Sequence, residues 1–270
     1  MPELAEVETV RNTLKKRILN KKIVNVNIVY GKMIENDLEE FKNILLNNEF
    51  KDILRVGKWL IFELNNHYLL SHLRMEGKYF IKEPNEILNK HDHIIFELDG
   101  IEELRYNDTR KFGKMHLVKK NELDLTPISK LGLEPWDESL TTTYLKEKLN
   151  KKKAIKTLLL DQSIITGIGN IYADEILFLS KINPETYGCN LTKKNHQNII
   201  DNTKKVLEKA IQSGGTTIHT YTSVDGITGR FQQELLVHSK KGESCPNCKT
   251  EILKIVVNGR GTYYCPKCQK

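Results

Sequence analysis

Residues 3–19 place Leu4, Val7, Val10, Leu14 and Ile18 three and four positions apart, which marks one face of an amphipathic helix. From about residue 23 the pattern changes to strands. WLIFEL and HYLLSHL flank Asn65-Asn66, and HIIFEL and IEELRY flank Asp99-Gly100. Both pairs read as β-hairpins, with Asp-Gly the stronger turn signal. KMHLVK at 114–119 is a further strand. Several hairpins in one block predict an antiparallel sandwich with the first helix packed on it.

LGLEPWDESL at 131–140 reads as a linker, and helical patterns follow it. TTTYLKEKLN, AIKTLLLD and NIYADEILFLSKI predict short helices. LTKKNHQNIIDNTKKVLEKAIQSGG predicts a longer one, with Thr192 as N-cap and Gly214-Gly215 as its stop. Residues 216–230 lack periodicity and read as an exposed loop. KTEILKIVVNGRGTYY, at 249–264, predicts a last hairpin turning at Asn258-Gly259. The expected fold is therefore α+β and multi-domain. Its parts are an N-terminal helix and β-sandwich over 2–130, a helical domain over 131–224 and a C-terminal hairpin module over 235–270.

That hairpin is bracketed by Cys245-x-x-Cys248 and Cys265-x-x-Cys268. Folding it brings the pairs together as four thiolates, the donor set of one structural zinc ion. Four of the chain's five cysteines lie in this pattern. Without a secretory signal, paired CxxC motifs point to a reducing, cytoplasmic setting. The fifth, Cys189, reads as an ordinary free thiol.

Composition adds a partner. A 39% hydrophobic content suffices for a packed core, and no stretch is long and apolar enough to span a membrane. The net charge of +7 is unevenly spread. Residues 1–135 are neutral overall, whereas residues 240–270 carry seven basic and two acidic residues. A C-terminal positive excess suits a phosphate backbone, although charge alone also fits a solvated lysine-rich surface.

Two shorter signals carry chemistry. Gly167-Ile168-Gly169-Asn170 lies between two helical patterns, where a helix N-terminus can bind one phosphate. A tight turn between packed helices would look the same. At the start, removing Met1 would leave a secondary amine on Pro2. An α-amino group titrates near roughly 8 and can attack a sugar carbon to form an iminium. Glu3 would stand beside it as a general acid. Many chains begin Met-Pro, so the residues alone favour an ordinary start.

The motifs, taken together, resemble the formamidopyrimidine-DNA glycosylase family. PELAEVETV, VGKWLIFEL, SHLRMEGKY, NDTRKFGKM, LGLEP, GIGNIYADEILF, GGTTIHTY and NGRGTYYCPKCQ match in order over almost the whole chain. The resemblance implies a helix and β-sandwich, a helix-two-turn-helix domain and a zinc finger. It also implies a bifunctional glycosylase and AP lyase that removes oxidised purines from damaged double-stranded DNA and cuts the strand by β,δ-elimination. Pro2 would be the nucleophile and Glu3 the acid, with Glu6 holding the geometry. Lys58 and Arg260 would complete the catalytic set by binding phosphates. Asn170, Lys153 and His91 would also contact DNA. Nucleotide flipping leaves a void, which Met75, Arg110 and Phe112 would fill. Thr217 and Tyr221, in the segment from Thr216, would close over the flipped base.

Some positions depart from the family pattern. Ala5 and Thr109 stand where proline is common, Thr216-Thr217 where serines are typical, and His238-Ser239 where Tyr-Gly is usual. None removes a catalytic group. Two rivals remain: an endonuclease VIII-type enzyme for oxidised pyrimidines, and a zinc-finger DNA-binding protein without chemistry. Pro2, Glu3 and Lys58 argue against the second.

Overall fold

The computed structural model describes residues 1–84, 86–100, 102–216 and 229–270. They fall into two compact units, one of residues 1–129 with 214–230, the other of residues 130–213 with 231–270.

The first unit opens with α1 (Leu4–Ile18). Its five predicted apolar positions are all buried, and Lys15, Lys16 and Arg17 sit in its last turn, where the helix dipole favours cations. Behind it lie two four-stranded antiparallel sheets. One has the order β1 (Ile23–Ile28), β6 (Asp92–Leu98), β7 (Glu102–Asn107), β5 (Lys78–Lys82). The other runs β2 (Asp52–Val56), β3 (Trp59–Glu63), β4 (His67–His72), β8 (Lys114–Lys119). Leu60, Phe62 and Leu69 from the second sheet share one core with Ile94, Phe96, Leu104 and Tyr106 from the first, and Val7, Val10 and Leu14 of α1 join it. Each such side chain contributes about 1.5–3 kcal/mol when fully buried. Phe62, Tyr79 and Tyr106 form an edge-to-face chain through this core, with centroids 5.5 and 5.2 Å apart. The expected sandwich is present. One helix interrupts the strand pattern, α2 (Leu38–Leu45), capped by Asp37.

The second unit holds α3 (Thr142–Leu149), α4 (Ile155–Leu159), α5 (Asn170–Ser180), α6 (Lys193–Gln212) and the hairpin of β9 (Leu253–Val257) and β10 (Arg260–Tyr264). Thr192 caps α6 in a reciprocal box with Asn195. Gly214 and Gly215 follow at φ +74° and +77° and stop it. Residues 131–140 are not a loose linker. Gly132 N–H bonds to Gln162 O at 2.8 Å, Leu133 bridges to Ile165, and Trp136 Nε1 donates to Glu208 at 2.9 Å. The short polar run masked these non-local partners. No helix among the described residues is long and apolar enough to cross a membrane.

Candidate active site and nucleic-acid interface

Pro2 and Glu3 are buried, and Glu3 starts α1 in an extended conformation. Glu6, one turn along, is the organiser. Its Oε2 accepts the Glu3 N–H at 2.9 Å. Its Oε1 accepts both the N–H and the hydroxyl of Thr216, at 2.7 and 2.9 Å. A buried carboxylate with three donors is a fixed anchor rather than a solvated helix side chain. Gly215 makes room for it, since a Cβ there would stand 2.8 Å from Glu6 Oε1. Gly229 lies directly against the Gly214–Gly215 backbone. Thr217 and Tyr221 lie outside the described residues.

Lys58 sits in the tight turn between β2 and β3, and it is 94% covered rather than solvent-facing. Arg55 ties this turn to α1. Its Nε donates to Glu8 at 2.8 Å, and its Nη1 to Gly57 O at 3.0 Å. His72, on β4, stacks edge-on to Trp59 at 4.8 Å and accepts the Arg74 N–H at Nδ1. Burial pushes its pKa down to about 3, helped by the charges of Arg74 and Lys58. The ring is thus kept neutral within reach of the Lys58 charge, a feature that the sequence pattern of HYLLSHL did not single out.

Met75 and Phe112 are 37% and 51% exposed, so neither is a core side chain. Arg110 lies over the Phe112 ring, 4.8 Å from its centroid. Asp108 shapes their loop by accepting the N–H groups of Arg110, Phe112 and Gly113 at 2.9, 3.0 and 2.8 Å. His91 adjoins this loop, because its carbonyl accepts the Asp108 N–H at 3.0 Å.

In the second unit, Asn170 is the first residue of α5 after Gly169. Its Nδ2 donates to Gly261 O at 3.0 Å. Arg260 is exposed at the end of the Asn258-Gly259 turn, whose positive φ values suit a two-residue hairpin. The residues after Arg260 are held from beneath by a lysine the sequence reading passed over. Lys156 is fully buried, pairs with Asp174 Oδ1 at 2.7 Å, and donates to Gly261 O and Thr262 Oγ1 at 3.0 and 2.8 Å. Asp174 Oδ2 also takes His238 Nδ1 at 2.7 Å and Tyr263 N–H at 3.2 Å. Next to it, Glu175 accepts the N–H groups of Leu236, Val237 and His238, and burial pushes its pKa up against those bonds. The visible clue was two adjacent acids inside the apolar helix NIYADEILF. Lys153, by contrast, is exposed in the bend before α4.

The four cysteine sulfurs lie within 4.8 Å of one another, with contacts of 3.4 Å for Cys248–Cys265 and 3.8 Å for Cys245–Cys268. A tetrahedral zinc with Zn–S of about 2.3 Å separates its sulfurs by about 3.8 Å. Hydrogen bonds from Thr250 draw the Cys248 thiol down to about 6. Burial and the neighbouring sulfurs push Cys268 up to about 12. Such crowding asks for a shared cation, and the cluster is a structural zinc site with no position left for substrate. Phe178, Val237 and Ile252 pack against Cys245 and Cys265, and Gln269 joins Cys265 N–H to Ile182 O.

These features are those of the zinc-finger DNA glycosylases. Residues 1–115 match the formamidopyrimidine-DNA glycosylase N-terminal domain, 131–222 its H2TH domain, and 242–270 the zinc finger found in FPG and IleRS. The formamidopyrimidine-DNA glycosylase of Shouchella clausii is 45% identical over all of this chain and 99% of its own length, and that of Ligilactobacillus salivarius is 46% identical with the same coverage. Among solved structures, Lactococcus lactis Fpg bound to abasic-site DNA superimposes with a TM-score of 0.94 at 42% identity, covering 99% of both chains. A variant of that enzyme bound to Fapy-dG DNA gives 0.95 at 42%, over the full length of both. The chain belongs to the formamidopyrimidine-DNA glycosylase family.

Proposed function

We propose that this chain is a bifunctional DNA glycosylase and AP lyase of base excision repair, acting on formamidopyrimidine and 8-oxoguanine lesions in duplex DNA. The observation that carries the proposal is the buried Pro2-Glu3 pair held by Glu6, in a chain that matches its relatives end to end. With Met1 removed, the Pro2 nitrogen attacks C1′ of the flipped nucleotide and the glycosidic bond breaks, so the base leaves. Glu3 protonates the sugar ring oxygen as the ring opens. The resulting iminium accepts the electrons freed by loss of a C2′ proton. β-Elimination then breaks the C3′–O bond, and δ-elimination the C5′–O bond.

Lys58, beside neutral His72, holds a phosphate next to the lesion. Arg260 grips another bidentately from the zinc-finger tip. Asn170, His91 and Lys153 add backbone contacts, and Thr217 and Tyr221 cover the flipped base. Met75, Arg110 and Phe112 occupy the vacated space. In this reading residues 2–130 carry the chemistry, while 131–224 and 235–270 grip the backbone. DNA as substrate supports a cytoplasmic setting.

Borohydride trapping on abasic-site DNA tests the chemistry. A chain with confirmed free Pro2 should give a covalent adduct, and failure to do so overturns the lyase mechanism. A second substrate class has support, because the L. lactis enzyme has also been solved with DNA containing an oxidised pyrimidine. Excision of 8-oxoguanine and of thymine glycol, compared side by side, ranks the two. A clear preference for thymine glycol overturns the purine assignment.

A further inference from the structure

Met75 and the Arg110–Phe112 tip belong to loops far apart in sequence. One joins β4 to β5 and the other β7 to β8, so both cross from one sheet of the sandwich to the other. Each is stiff by itself. The first closes with Gly77 N–H on Leu73 O at 2.9 Å, and the second is wrapped around the Asp108 carboxylate. Arg74 and Lys111 hold left-handed conformations at φ +53° and +56°, one in each loop.

Two features join the loops to each other. Beneath them, the Tyr106 hydroxyl fills the space where either Gly77 or Gly113 would carry a Cβ, so one buried ring supports both. Above, the Thr109 hydroxyl donates to the Glu76 carboxylate across thirty-three residues of chain. Glu76 is an acid flanked in sequence by Arg74 and Lys78, and its partner Thr109 is followed by Arg110 and Lys111, so the two loops together carry a basic excess that suits phosphate. A carboxylate there opposes phosphate binding unless it has another task.

We propose that Glu76 and Thr109 form a latch that locks the two loops into one wedge, so that Met75 and Phe112 enter the duplex together. Both are positioning residues. The inference rests on the proposed function, in which these tips enter DNA. Without the latch each loop keeps its own turn, but the spacing of the tips is no longer set at the surface. Charge-assisted hydrogen bonds hold such spacings better than neutral ones.

The test uses the full chain and a duplex bearing 8-oxoguanine with 2-aminopurine as its 3′ neighbour. Stopped-flow fluorescence reads unstacking, and single-turnover cleavage reads excision. Thr109→Val should slow both by about three- to tenfold, the range of one such bond. It should also lower the ratio of duplex excision to trapping on single-stranded abasic DNA, which has no partner strand to displace. Thr109→Ser should restore the rates, and Thr109→Val combined with Glu76→Ala should be no slower than the slower single variant. Wild-type unstacking by Thr109→Val, no rescue by serine, or additive losses would each overturn the latch. Met75→Ala and Phe112→Ala separate the two levels. If they slow duplex excision while Thr109→Val does not, only the latch is wrong; if they too leave it unchanged, the wedge reading fails.

Discussion

Glu6 and Thr216 are 210 positions apart and are joined by two hydrogen bonds to one carboxylate oxygen. The other oxygen holds the Glu3 backbone. One side chain therefore fixes both the start of α1, where the proposed nucleophile and acid stand, and the start of the segment proposed to cover the lesion. Glu6→Gln keeps the shape but offers an NH₂ where one of three donors needs an acceptor. The rate of borohydride trapping is expected to fall about tenfold or more, as for a misplaced reacting group. A wild-type rate would show that Glu6 is not needed to hold Pro2-Glu3.

Gly215 tests the same anchor from the other side. Its φ of +77° and its closeness to Glu6 both exclude a side chain. Gly215→Ala is expected to slow excision of 8-oxoguanine from duplex more than trapping on an abasic site, where no base has to be covered. Equal losses in the two assays would remove the lesion-covering segment from the explanation.

His72 gives a pH signature. Its folded pKa is pushed down to about 3, whereas the unfolded chain takes up a proton near 6.5. Between those values the unfolded state binds more protons, so stability is lost as pH falls below about 6.5. The slope from this one group approaches about 1.4 kcal/mol per pH unit. His72→Asn keeps an acceptor for Arg74 N–H and removes the titration. Urea melts of both proteins at pH 7.5 and 5 should show a smaller acid loss in the variant; equal losses would mean that His72 is protonated in the fold.

Much of this architecture was legible in the chain. The α1 stripe from Leu4 to Ile18, the Asp99-Gly100 hairpin, the Thr192 cap and the four-cysteine hairpin are local patterns, and local sterics and hydrogen bonds decide them. The buried supports were not. Lys156 reads as a surface lysine until Asp174, 18 residues later, is placed beside it, and Lys58 reads the same way until Arg55 and Glu8 close over its turn. Periodicity reports which face of an element is apolar; it does not report which polar groups from distant elements satisfy each other.

Lys156→Met is the informative change at that buried pair. It leaves the Asp174 carboxylate with His238 and Tyr263 but without its ammonium, and it takes one donor each from the Gly261 carbonyl, which keeps Asn170, and the Thr262 hydroxyl, which keeps its bond to Arg260 O. Removing one partner of a buried ion pair costs about 3–5 kcal/mol. The loss should appear in the unfolding of the helical and zinc-finger unit, and DNA affinity should fall with it because the residues after Arg260 lose their support. Replacing both Lys156 and Asp174 by apolar residues should recover stability before it recovers DNA affinity. Recovery of both together would mean that the pair serves packing alone.

Arg260 closes the chain of support that begins at the zinc. The cysteines hold the hairpin, Lys156 and Asn170 fix Gly261, and Arg260 stands exposed at the tip. If its task is one phosphate contact, Arg260→Ala should weaken binding to lesion-bearing and undamaged duplexes alike. It should also reduce the slope of log K against log salt by about one. Arg260→Lys should keep the charge and most of the slope, yet lose affinity because a point charge cannot reproduce the bidentate fork. Cys265→Ser should produce the same loss of affinity as Arg260→Ala, since a collapsed finger no longer presents the tip, while hydrogen exchange over the β3, β4 and β6 strands stays slow. Filter-binding titrations from 50 to 300 mM salt decide the case: an Arg260→Ala slope equal to wild type would place the arginine off the DNA backbone, and full affinity in Cys265→Ser would separate the zinc from DNA binding.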